Sequence, residues 1–279
     1  MENNVKTTLK TEGFAFKKRL GQNFITDKNL LASIVEASGV QPSDMVVEIG
    51  CGAGTLTRAI SERAKKVIGF EIDGSLKPVL SKTLDGVENA EIIFKDFLKA
   101  DLAALEKSIG KFSVVANLPY YVTTPLITKI LDESTLCESL TVMVQEEVAE
   151  RFCAIPATPD YGAITAVIAL RASAKILKRV PREMFTPRPN VDSAVVKLTI
   201  EDGRIPVADV SLYKKVVHAA FASRRKTLEN NLVRAFDMPR EEAEALLISC
   251  KIDLKARGET LSPMKFAELA DALRSRNAE

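Results

Sequence analysis

The chain has 279 residues, 46% of them hydrophobic and 27% charged, and its formal net charge is +2. A chain of this length and composition is expected to form one or two globular domains. Its longest apolar runs, such as AITAVIAL, are too short to span a bilayer. The polar start MENNVKTTLKTEG lacks the hydrophobic core of a secretory signal. We therefore expect a cytoplasmic protein with no membrane partner.

Strand-like and helix-like segments alternate from residue 45 to about residue 144. Short apolar runs predict strands at 45–49, 66–72, 91–94, 112–116 and 139–144. Helical spacing predicts helices at 55–64, 75–84 and 124–131. Thr124 as a cap and Pro125 in the first turn mark the start of the third helix, whereas Pro78 is unfavourable within the second. Strands that alternate with helices imply right-handed crossovers and a mainly parallel sheet.

The second half of the chain changes from a mixed to an all-helical pattern. The mixed part predicts helices at 145–154 and 162–173, strands at 174–180 and 194–200, and a proline-broken loop at 181–190. After a linker at 201–209, helices are predicted at 211–222, 226–236, 240–249 and 263–274. We therefore expect an α/β fold, with a Rossmann-like domain at 1–205 that contains a mainly parallel seven-stranded sheet, and a small all-helical domain at 206–279.

A glycine-rich loop joins the first predicted strand to the next helix and contains Gly50, Gly52 and Gly54. Glycines at this place allow positive φ and let a ligand approach the backbone closely. The dinucleotide fingerprint G-x-G-x-x-G fails because Thr55 stands where its third glycine belongs, and no G-x-x-x-x-G-K-[ST] phosphate loop is present. The pattern is instead E-x-G-x-G-x-G, with Glu48 on the strand.

Acidic residues follow the next two strands. Glu71 ends the second strand in FEID, and Asp96 follows the third in FKDFL. Both are expected at the carboxyl edge of the sheet, where Glu71 can accept hydrogen bonds from ribose hydroxyls and Asp96 from an exocyclic adenine amine. Either residue alone could be a simple strand-end cap. Their joint position behind the glycine loop favours a ligand that contains a ribose and an adenine.

The segment NLPYY follows the fourth strand and begins with Asn117 at the same edge of the sheet. The Asn117 side-chain oxygen and the Leu118 carbonyl can accept the two N–H groups of a conjugated amine such as adenine N6, with Pro119 favouring an extended Leu118. Tyr120 offers a face on which a flipped base can stack. Catalysis would then consist of positioning and polarisation, without a strong base.

Positive charge is concentrated in two stretches of the chain. The first stretch, 6–28, contains Lys6, Lys10, Lys17, Lys18, Arg19 and Lys28, and the second, 211–236, contains Lys214, Lys215, Arg224, Arg225, Lys226 and Arg234. Such clusters are often solvated helix faces. The alternative for the densest run, Arg224–Lys226, is contact with nucleic-acid phosphates, and we favour it only because the family resemblance given below implies an RNA substrate.

Cysteine and histidine are sparse. The only histidine is His218, and the cysteines Cys51, Cys137, Cys153 and Cys250 are far apart in sequence. Metal sites and disulfide frameworks of small proteins need clustered ligands or cysteines. We therefore expect no metal and four reduced, mostly buried thiols, and little scope for a histidine-based triad.

The motifs together resemble the ribosomal RNA adenine N6-dimethyltransferase family, in particular its bacterial members that act near the 3′ end of small-subunit rRNA. The matching segments are KKRLGQNFITD, VVEIGCGAGTLT, FEID, KDFL, ANLPYYVTTPL, MVQEEVAER, FTPRPNVDSAVVKL and AAFASRRKTLENNL. The resemblance extends from about residue 14 to about residue 275. It implies a class I methyltransferase domain, an RNA-binding C-terminal domain, and S-adenosylmethionine as the methyl donor.

The resemblance also implies the reaction and its partners. We expect dimethylation of N6 on each of two adjacent adenosines of 16S rRNA, a role in small-subunit biogenesis, and a monomer that binds the immature 30S subunit. The donor-binding residues implied are Asn23, Ile25, Gly50, Glu71, Asp96 and Asn117, with Gln22 and Phe24 close by. The catalytic segment implied is Asn117, Leu118, Pro119 and Tyr120.

Small departures from the family pattern remove no required polar group. Cys51 occupies a position that is often proline, Ile25 one that is often leucine, and Tyr121 one that is Asn in some members. Three alternatives remain open: a large-subunit rRNA methyltransferase of the macrolide-resistance type, a non-catalytic assembly factor, and a nicotinamide oxidoreductase. The intact Glu71, Asp96 and Asn117 argue against the second, and the failed dinucleotide spacing argues against the third.

Overall fold

The structure, a computed structural model, describes residues 5–17 and 20–276. The chain forms two compact units. The first comprises the described residues up to Ala149 together with Lys175–Ile200, and the second comprises Glu150–Ala174 and the residues from Glu201 onward. The second unit thus includes residues 150–174, which the sequence-based division at residue 205 assigned to the first domain.

Most strands belong to one mainly parallel sheet. In chain order the strands are β1 (Phe24–Ile25), β2 (Met45–Ile49), β3 (Lys66–Glu71), β4 (Ala90–Phe94), β5 (Phe112–Asn117), β6 (Cys137–Gln145), β7 (Ala172–Val180), β8 (Phe185–Thr186) and β9 (Ser193–Ile200). The seven-stranded sheet has the order β4-β3-β2-β5-β6-β9-β7. Pairing is parallel from β4 through β6 and antiparallel between β6 and β9. The predicted α/β fold with a Rossmann-like sheet is therefore confirmed.

Helices connect the strands and form the second unit. In chain order they are α1 (Val5–Thr11), α2 (Lys28–Ser38), α3 (Thr55–Ser61), α4 (Lys77–Thr83), α5 (Leu102–Ile109), α6 (Thr123–Glu133), α7 (Glu146–Cys153), α8 (Ala163–Ala169), α9 (Val210–Phe221), α10 (Leu228–Phe236), α11 (Arg240–Ser249) and α12 (Pro263–Arg276). Pro78 lies in the first turn of α4, where the missing N–H is not needed. Ala172 and Ser173, predicted as the end of a helix, instead begin β7, because the sheet extends the strand.

Some elements were not anticipated from the sequence. The helix α2 was missed although the Asp27 side chain accepts from the Leu30 amide at 2.7 Å and Gly39 ends the helix with φ +79°. The helix α5 was missed although Asp101 caps it. The short strands β1 and β8 pair with each other in an antiparallel ladder, and two residues are too few for a detectable period.

The order of the strands locates a crevice. The chain passes from β2 to β3 and β4 on one side of the sheet, and β5 then pairs with β2 on the other side. Ligands of open α/β sheets bind where the strand order reverses in this way, outside the carboxyl ends of the strands. The loops that follow β2, β3, β4 and β5 therefore meet at one edge, and these are the loops that carry the predicted site residues.

The second unit has a core of its own. Tyr213 is fully buried on α9, and its hydroxyl donates to the Ala166 carbonyl of α8 at 2.8 Å. Gly258 allows a close approach to α9, because a Cβ there would lie 2.5 Å from the Ala220 carbonyl oxygen. In the described residues no helix is long and apolar enough to cross a membrane. All four cysteines are free thiols, and Cys153 alone is only partly buried.

Candidate active site

A cleft at the carboxyl edge of β2, β3 and β5 encloses about 830 Å³, including the part open to solvent. It belongs entirely to the first unit. Of the predicted site residues, it is lined by Asn23, Gly50, Glu71, Asp96, Asn117, Leu118, Pro119 and Tyr120, with Gln22 and Phe24 beside them. Gly50, Glu71, Asp96 and Tyr120 lie at or after the ends of adjacent parallel strands, as expected for a site at this edge of the sheet. Asn23 reaches the same cleft from the segment that precedes β1.

The glycine loop uses the conformational freedom of its glycines. Gly50 has φ +81°, and a Cβ there would stand between the loop and residues 117–120, the NLPY turn, 3.8 Å from Pro119 Cδ. Gly52 has φ +54°, and a Cβ there would lie 2.8 Å from the ring of Phe24. Side chains at either position would fill the cleft or displace Phe24, so the loop presents bare backbone to the cleft.

Glu71 is held rigidly at the end of β3. One carboxylate oxygen accepts from the Asp73 amide at 2.7 Å and the other from the Gly52 amide at 2.8 Å. The side chain is only 6% exposed, and burial raises its pKa, although hydrogen bonds from these backbone amides partly offset the rise. Each oxygen has a second lone pair left for a ligand hydroxyl.

Asp96 caps a short turn after β4. Its Oδ1 accepts from the Leu98 amide at 3.0 Å. No hydrogen bond from another described residue reaches its second oxygen. The half-buried carboxylate therefore presents one acceptor at the cleft, which is what recognition of an exocyclic amine requires.

Asn117 is anchored by the N-terminal segment. Its side-chain Nδ2 donates to the Asn23 backbone carbonyl at 2.9 Å. A carbonyl can only accept, so this contact fixes the amide orientation and leaves Oδ1 as an acceptor. Asn23 is itself tied back, since its Nδ2 donates to the Gly21 carbonyl at 3.2 Å.

Residues of β6 and β9 hold the rest of the NLPY turn. The Leu118 amide donates to the Met143 carbonyl of β6 at 3.2 Å, and the Leu118 side chain is buried. Pro119 is extended, with φ −60° and ψ 129°. The Tyr120 hydroxyl shares a hydrogen bond of 2.8 Å with Ser193 Oγ, and burial raises the pKa of that hydroxyl. The tyrosine is therefore a neutral, fixed ring at the cleft wall.

An ion pair that sequence reasoning missed fastens the N-terminal segment beside the cleft. Lys17 Nζ lies 2.6 Å from Asp73 Oδ1, and Gln22 Nε2 donates to Asp73 Oδ2 at 2.8 Å. Burial opposes ionisation of Asp73, but hydrogen bonds from Lys17, Ser75 and Gln22 together lower its pKa to about 2. Asp73 follows Glu71 by two residues in FEID, but no pattern in the sequence pairs it with Lys17.

Ile25 is placed differently from the other predicted donor contacts. Its side chain is 3% exposed and packs in the core of the first unit, and it does not line the cleft. Its carbonyl accepts from Thr55 Oγ1 at 2.8 Å. The cleft geometry therefore does not support a contact between the Ile25 side chain and a donor. A contact through the Ile25 backbone stays a prediction.

A buried acidic group lies beneath the glycine loop. Glu48 is 1% exposed, and Oε2 of Glu48 and Oγ1 of Thr57 have no hydrogen-bond partner among the described residues. Burial raises the pKa of Glu48 to about 8, a rise that the neighbouring Thr57 and Cys51 reduce and Glu71 increases. Glu48 is therefore a neutral acid at pH 7 rather than a second carboxylate of the cleft.

The basic run Arg224–Lys226 divides into two parts. The Arg224 guanidinium donates to the carbonyls of Pro159 and Tyr161, at 3.2 and 2.8 Å. It therefore tethers residues 159–161 within the second unit, and a phosphate contact of Arg224 stays a prediction. Arg225 and Lys226 are exposed, and their side chains have no partner among the described residues. In the first basic stretch, Lys18 and Arg19 lie outside the described residues.

The described residues contain no group of three or more His, Cys, Asp or Glu placed to hold a metal ion. What the cleft offers is a set of fixed acceptors and aromatic or apolar walls. Chemically, this arrangement suits a ribose-containing adenine ligand and an amine whose N–H groups need acceptors.

Comparison with known proteins gives concordant matches. The family described as "Ribosomal RNA adenine dimethylase" matches residues 13–275. A protein of Shouchella clausii (strain KSM-K16) named "Ribosomal RNA small subunit methyltransferase A" is 50% identical over 274 residues, which covers 96% of this chain and 93% of that protein.

Two solved structures share the fold over nearly the whole chain. The crystal structure of a dimethyladenosine transferase from Plasmodium falciparum is 26% identical and has a TM-score of 0.77, with 91% of this chain and 98% of that chain covered. The crystal structure of the 23S rRNA methyltransferase ErmE is 28% identical and has a TM-score of 0.68, with coverages of 90% and 99%.

Proposed function

The chain belongs to the ribosomal RNA adenine dimethylase family, and on that premise we propose that it transfers methyl groups from S-adenosylmethionine to N6 of two adjacent adenosines near the 3′ end of 16S rRNA, dimethylating each. The main structural support for this proposal is the orientation of the Asn117 side-chain amide. Its hydrogen bond to Asn23 leaves Oδ1 as an acceptor in the same cleft as Glu71 and Asp96.

The residues of the cleft fit such a donor. Glu71 keeps free lone pairs for ribose hydroxyls, and Asp96 keeps an oxygen for the adenine amine. Gly50 leaves open the space between the loop and Pro119 that a Cβ would occupy. When bound, the donor supplies an electrophilic methyl group on a sulfonium.

The NLPY turn fits the acceptor amine. The lone pair of adenine N6 is delocalised into its ring, so the amine is a poor nucleophile. Oδ1 of Asn117 and the Leu118 carbonyl would each hold one N–H proton and so direct the lone pair away from the ring plane. The amine loses its proton readily once alkylated, so no strong base is required of the chain. The ring of Tyr120, fixed by Ser193, would bear the flipped base.

Similarity supports the small subunit as the target. The Shouchella clausii protein, whose name specifies the small subunit, is 50% identical, whereas ErmE, which acts on 23S rRNA, is 28% identical over a comparable span. The partner proposed is accordingly 16S rRNA in an immature 30S subunit, met by a monomer in the cytoplasm. Methylation at this point would make the protein a participant in small-subunit biogenesis.

A direct assay tests the proposal. Purified protein and isotopically labelled S-adenosylmethionine would be incubated with small subunits, and separately with 23S rRNA, both from cells that lack the modification. We expect labelled dimethyladenosine at two adjacent positions near the 3′ end of 16S rRNA, located by mass mapping of fragments. Labelling of 23S rRNA alone would support the macrolide-resistance type, and labelling of neither would leave only an assembly role.

A further inference from the structure

Two consecutive tyrosines of the NLPYY segment lie in different surroundings. Tyr120 is half-buried with its hydroxyl bonded to Ser193, whereas Tyr121 is 57% exposed. The Tyr121 hydroxyl has no hydrogen-bond partner among the described residues. Both side chains line the cleft, and of its aromatic residues only Tyr121 is exposed. An aromatic ring of this size at the mouth of a binding cleft leaves a large apolar surface in water.

The exposed ring is nevertheless supported. It lies beside Gly21, since a Cβ added there would be in van der Waals contact with the ring, 3.6 Å from Tyr121 Cδ1, and 3.5 Å from Pro119 Cβ. Gly21 has φ +59°, a conformation that favours glycine. Gly21 in turn accepts the hydrogen bond from Asn23, whose own carbonyl orients Asn117. The same short segment therefore orients the reactive amide and supports the Tyr121 ring.

We propose that Tyr121 is a stacking platform for the nucleobase adjacent to the adenine that occupies the cleft, an inference that rests on the proposed function. A base drawn into the cleft against Tyr120 carries its neighbour in the same strand to the mouth, beside the next residue of the turn. There the neighbour no longer has its stacking partner. An exposed aromatic face is the group that replaces such an interaction, and it does so for any base.

The occupant is a base rather than a phosphate because of the chemistry of the site. A neutral ring with one free hydroxyl offers stacking area and no positive charge. The residue would act on RNA affinity and register, since it contacts neither the amine nor the donor sites at Glu71 and Asp96. In a substrate with two adjacent target adenosines, the platform would receive one while the other is methylated.

Steady-state kinetics with unmethylated small subunits separates this role from others. Tyr121→Ala and Tyr121→Asn should raise the KM for RNA roughly 5- to 100-fold, the range that corresponds to losing one base–aromatic stack. The KM for S-adenosylmethionine and the melting temperature should not change, and Tyr121→Phe should behave like the wild type. An unchanged KM for RNA in the alanine variant would overturn the inference.

A fluorescence experiment tests stacking itself, since the chain contains no tryptophan. Tyr121→Trp introduces a single reporter, and Phe94→Trp is the control, because Phe94 is 36% exposed on β4 and does not line the cleft. Binding of an RNA hairpin with two adjacent adenosines should quench the first reporter and leave the second unchanged. Equal quenching of both would overturn the inference.

Two further outcomes are distinguishable. If Tyr121→Ala weakened binding to intact subunits but not to the naked hairpin, the ring would contact a ribosomal protein and the inference would be wrong. If the wild-type protein methylated no adenosine of either rRNA, the proposed function itself would fail, whatever Tyr121 contacts.

Discussion

Asn117 and Asn23, 94 residues apart in sequence, are joined by a hydrogen bond of 2.9 Å from the side-chain Nδ2 of the first to the backbone carbonyl of the second. The bond fixes which end of the Asn117 amide faces the cleft. It also makes the orientation of this amide depend on the N-terminal segment, because that carbonyl is in place only when residues 20–24 are docked. Changes to that segment should therefore alter the orientation of the Asn117 amide, as changes to the cleft residues themselves should.

Replacing Asn117 should affect turnover more than RNA binding. Asn117→Ala removes one acceptor for the target amine, a loss that corresponds to roughly a hundredfold in rate. Asn117→Asp should be at least as harmful, because a carboxylate cannot donate to the Asn23 carbonyl and would repel it. Single-turnover rates at saturating donor measure the effect, and a near wild-type rate in the alanine variant would show that the amide does not polarise the amine.

Replacing Glu71 should weaken donor binding. A charged acceptor of hydroxyl hydrogen bonds contributes roughly 1.5–3 kcal/mol, so Glu71→Ala should reduce affinity for S-adenosylmethionine by about tenfold or more. Glu91→Ala is the matched control, because Glu91 lies on the neighbouring strand β4 and pairs with Lys66 on the surface. If calorimetry gave equal affinities for S-adenosylmethionine in both folded variants, Glu71 would not be a donor-binding residue.

Replacing Asp73 should release the N-terminal segment. Asp73→Asn removes the charge that holds Lys17, so the amides of residues 20–24 should exchange with deuterium faster than in the wild type. The pKa of Asp73 is lowered from 3.8 to about 2, so its contribution is present above about pH 4 and is lost as pH falls toward 2. Identical exchange in both proteins at pH 7 would show that other contacts dock the segment.

Replacing Glu48 should change how stability depends on pH. The pKa of Glu48 is raised from 4.5 to about 8, so between these values the folded state holds a proton that the unfolded state has lost. Its contribution to stability therefore falls as pH rises through this window, by roughly 1.4 kcal/mol per pH unit. In urea unfolding at pH 5, 7 and 9, the free energy of unfolding of Glu48→Gln should increase relative to that of the wild type as pH rises. A constant difference between the two would contradict the buried neutral acid.

The basic run of the second unit should divide into two functional parts. Arg225→Gln with Lys226→Gln should weaken RNA binding and flatten the plot of log affinity against log salt by about 0.7–0.9 for each phosphate that is no longer neutralised. Arg224→Gln should instead lower the melting temperature, because Arg224 holds the carbonyls of Pro159 and Tyr161. If only the Arg224 variant changed the slope of log affinity against log salt, these assignments would be reversed.

The candidate site could be predicted from sequence to the extent that it depends on strand ends. Gly50, Glu71, Asp96 and Asn117 each follow a short apolar run, and parallel topology brings such positions to one edge. The spacing of the glycines excluded a dinucleotide site, and the polar residues that remained indicated an adenine nucleoside. Local periodicity and one topological rule were sufficient for that part.

What could not be predicted depends on contacts between distant segments. The pairing of β1 with β8 involves two residues on each side and has no period of its own. The hydrogen bonds from Lys17 and Gln22 to Asp73 join segments that no local pattern relates. In sequence, residues 150–174 contain the end of one predicted helix, a second predicted helix and the start of a strand, and only tertiary packing assigns them to the second unit. The same holds for Arg224, because nothing in the sequence distinguishes an arginine that holds two backbone carbonyls from one that is free on the surface.

Cys51 of the glycine loop bears on the chemical selectivity of the reaction. Sulfonium methyl groups alkylate thiolates readily, so a cysteine beside a donor site is a competing nucleophile. Here the thiol is 4% exposed and lies 3.6 Å from the Phe70 carbonyl oxygen, against the sheet. Burial, and then the carboxyl groups of Glu48 and Glu71, hold its pKa well above the ordinary value. The loop thus buries its sulfur and favours the protonated thiol, which is a much weaker nucleophile toward a sulfonium methyl group than a thiolate is.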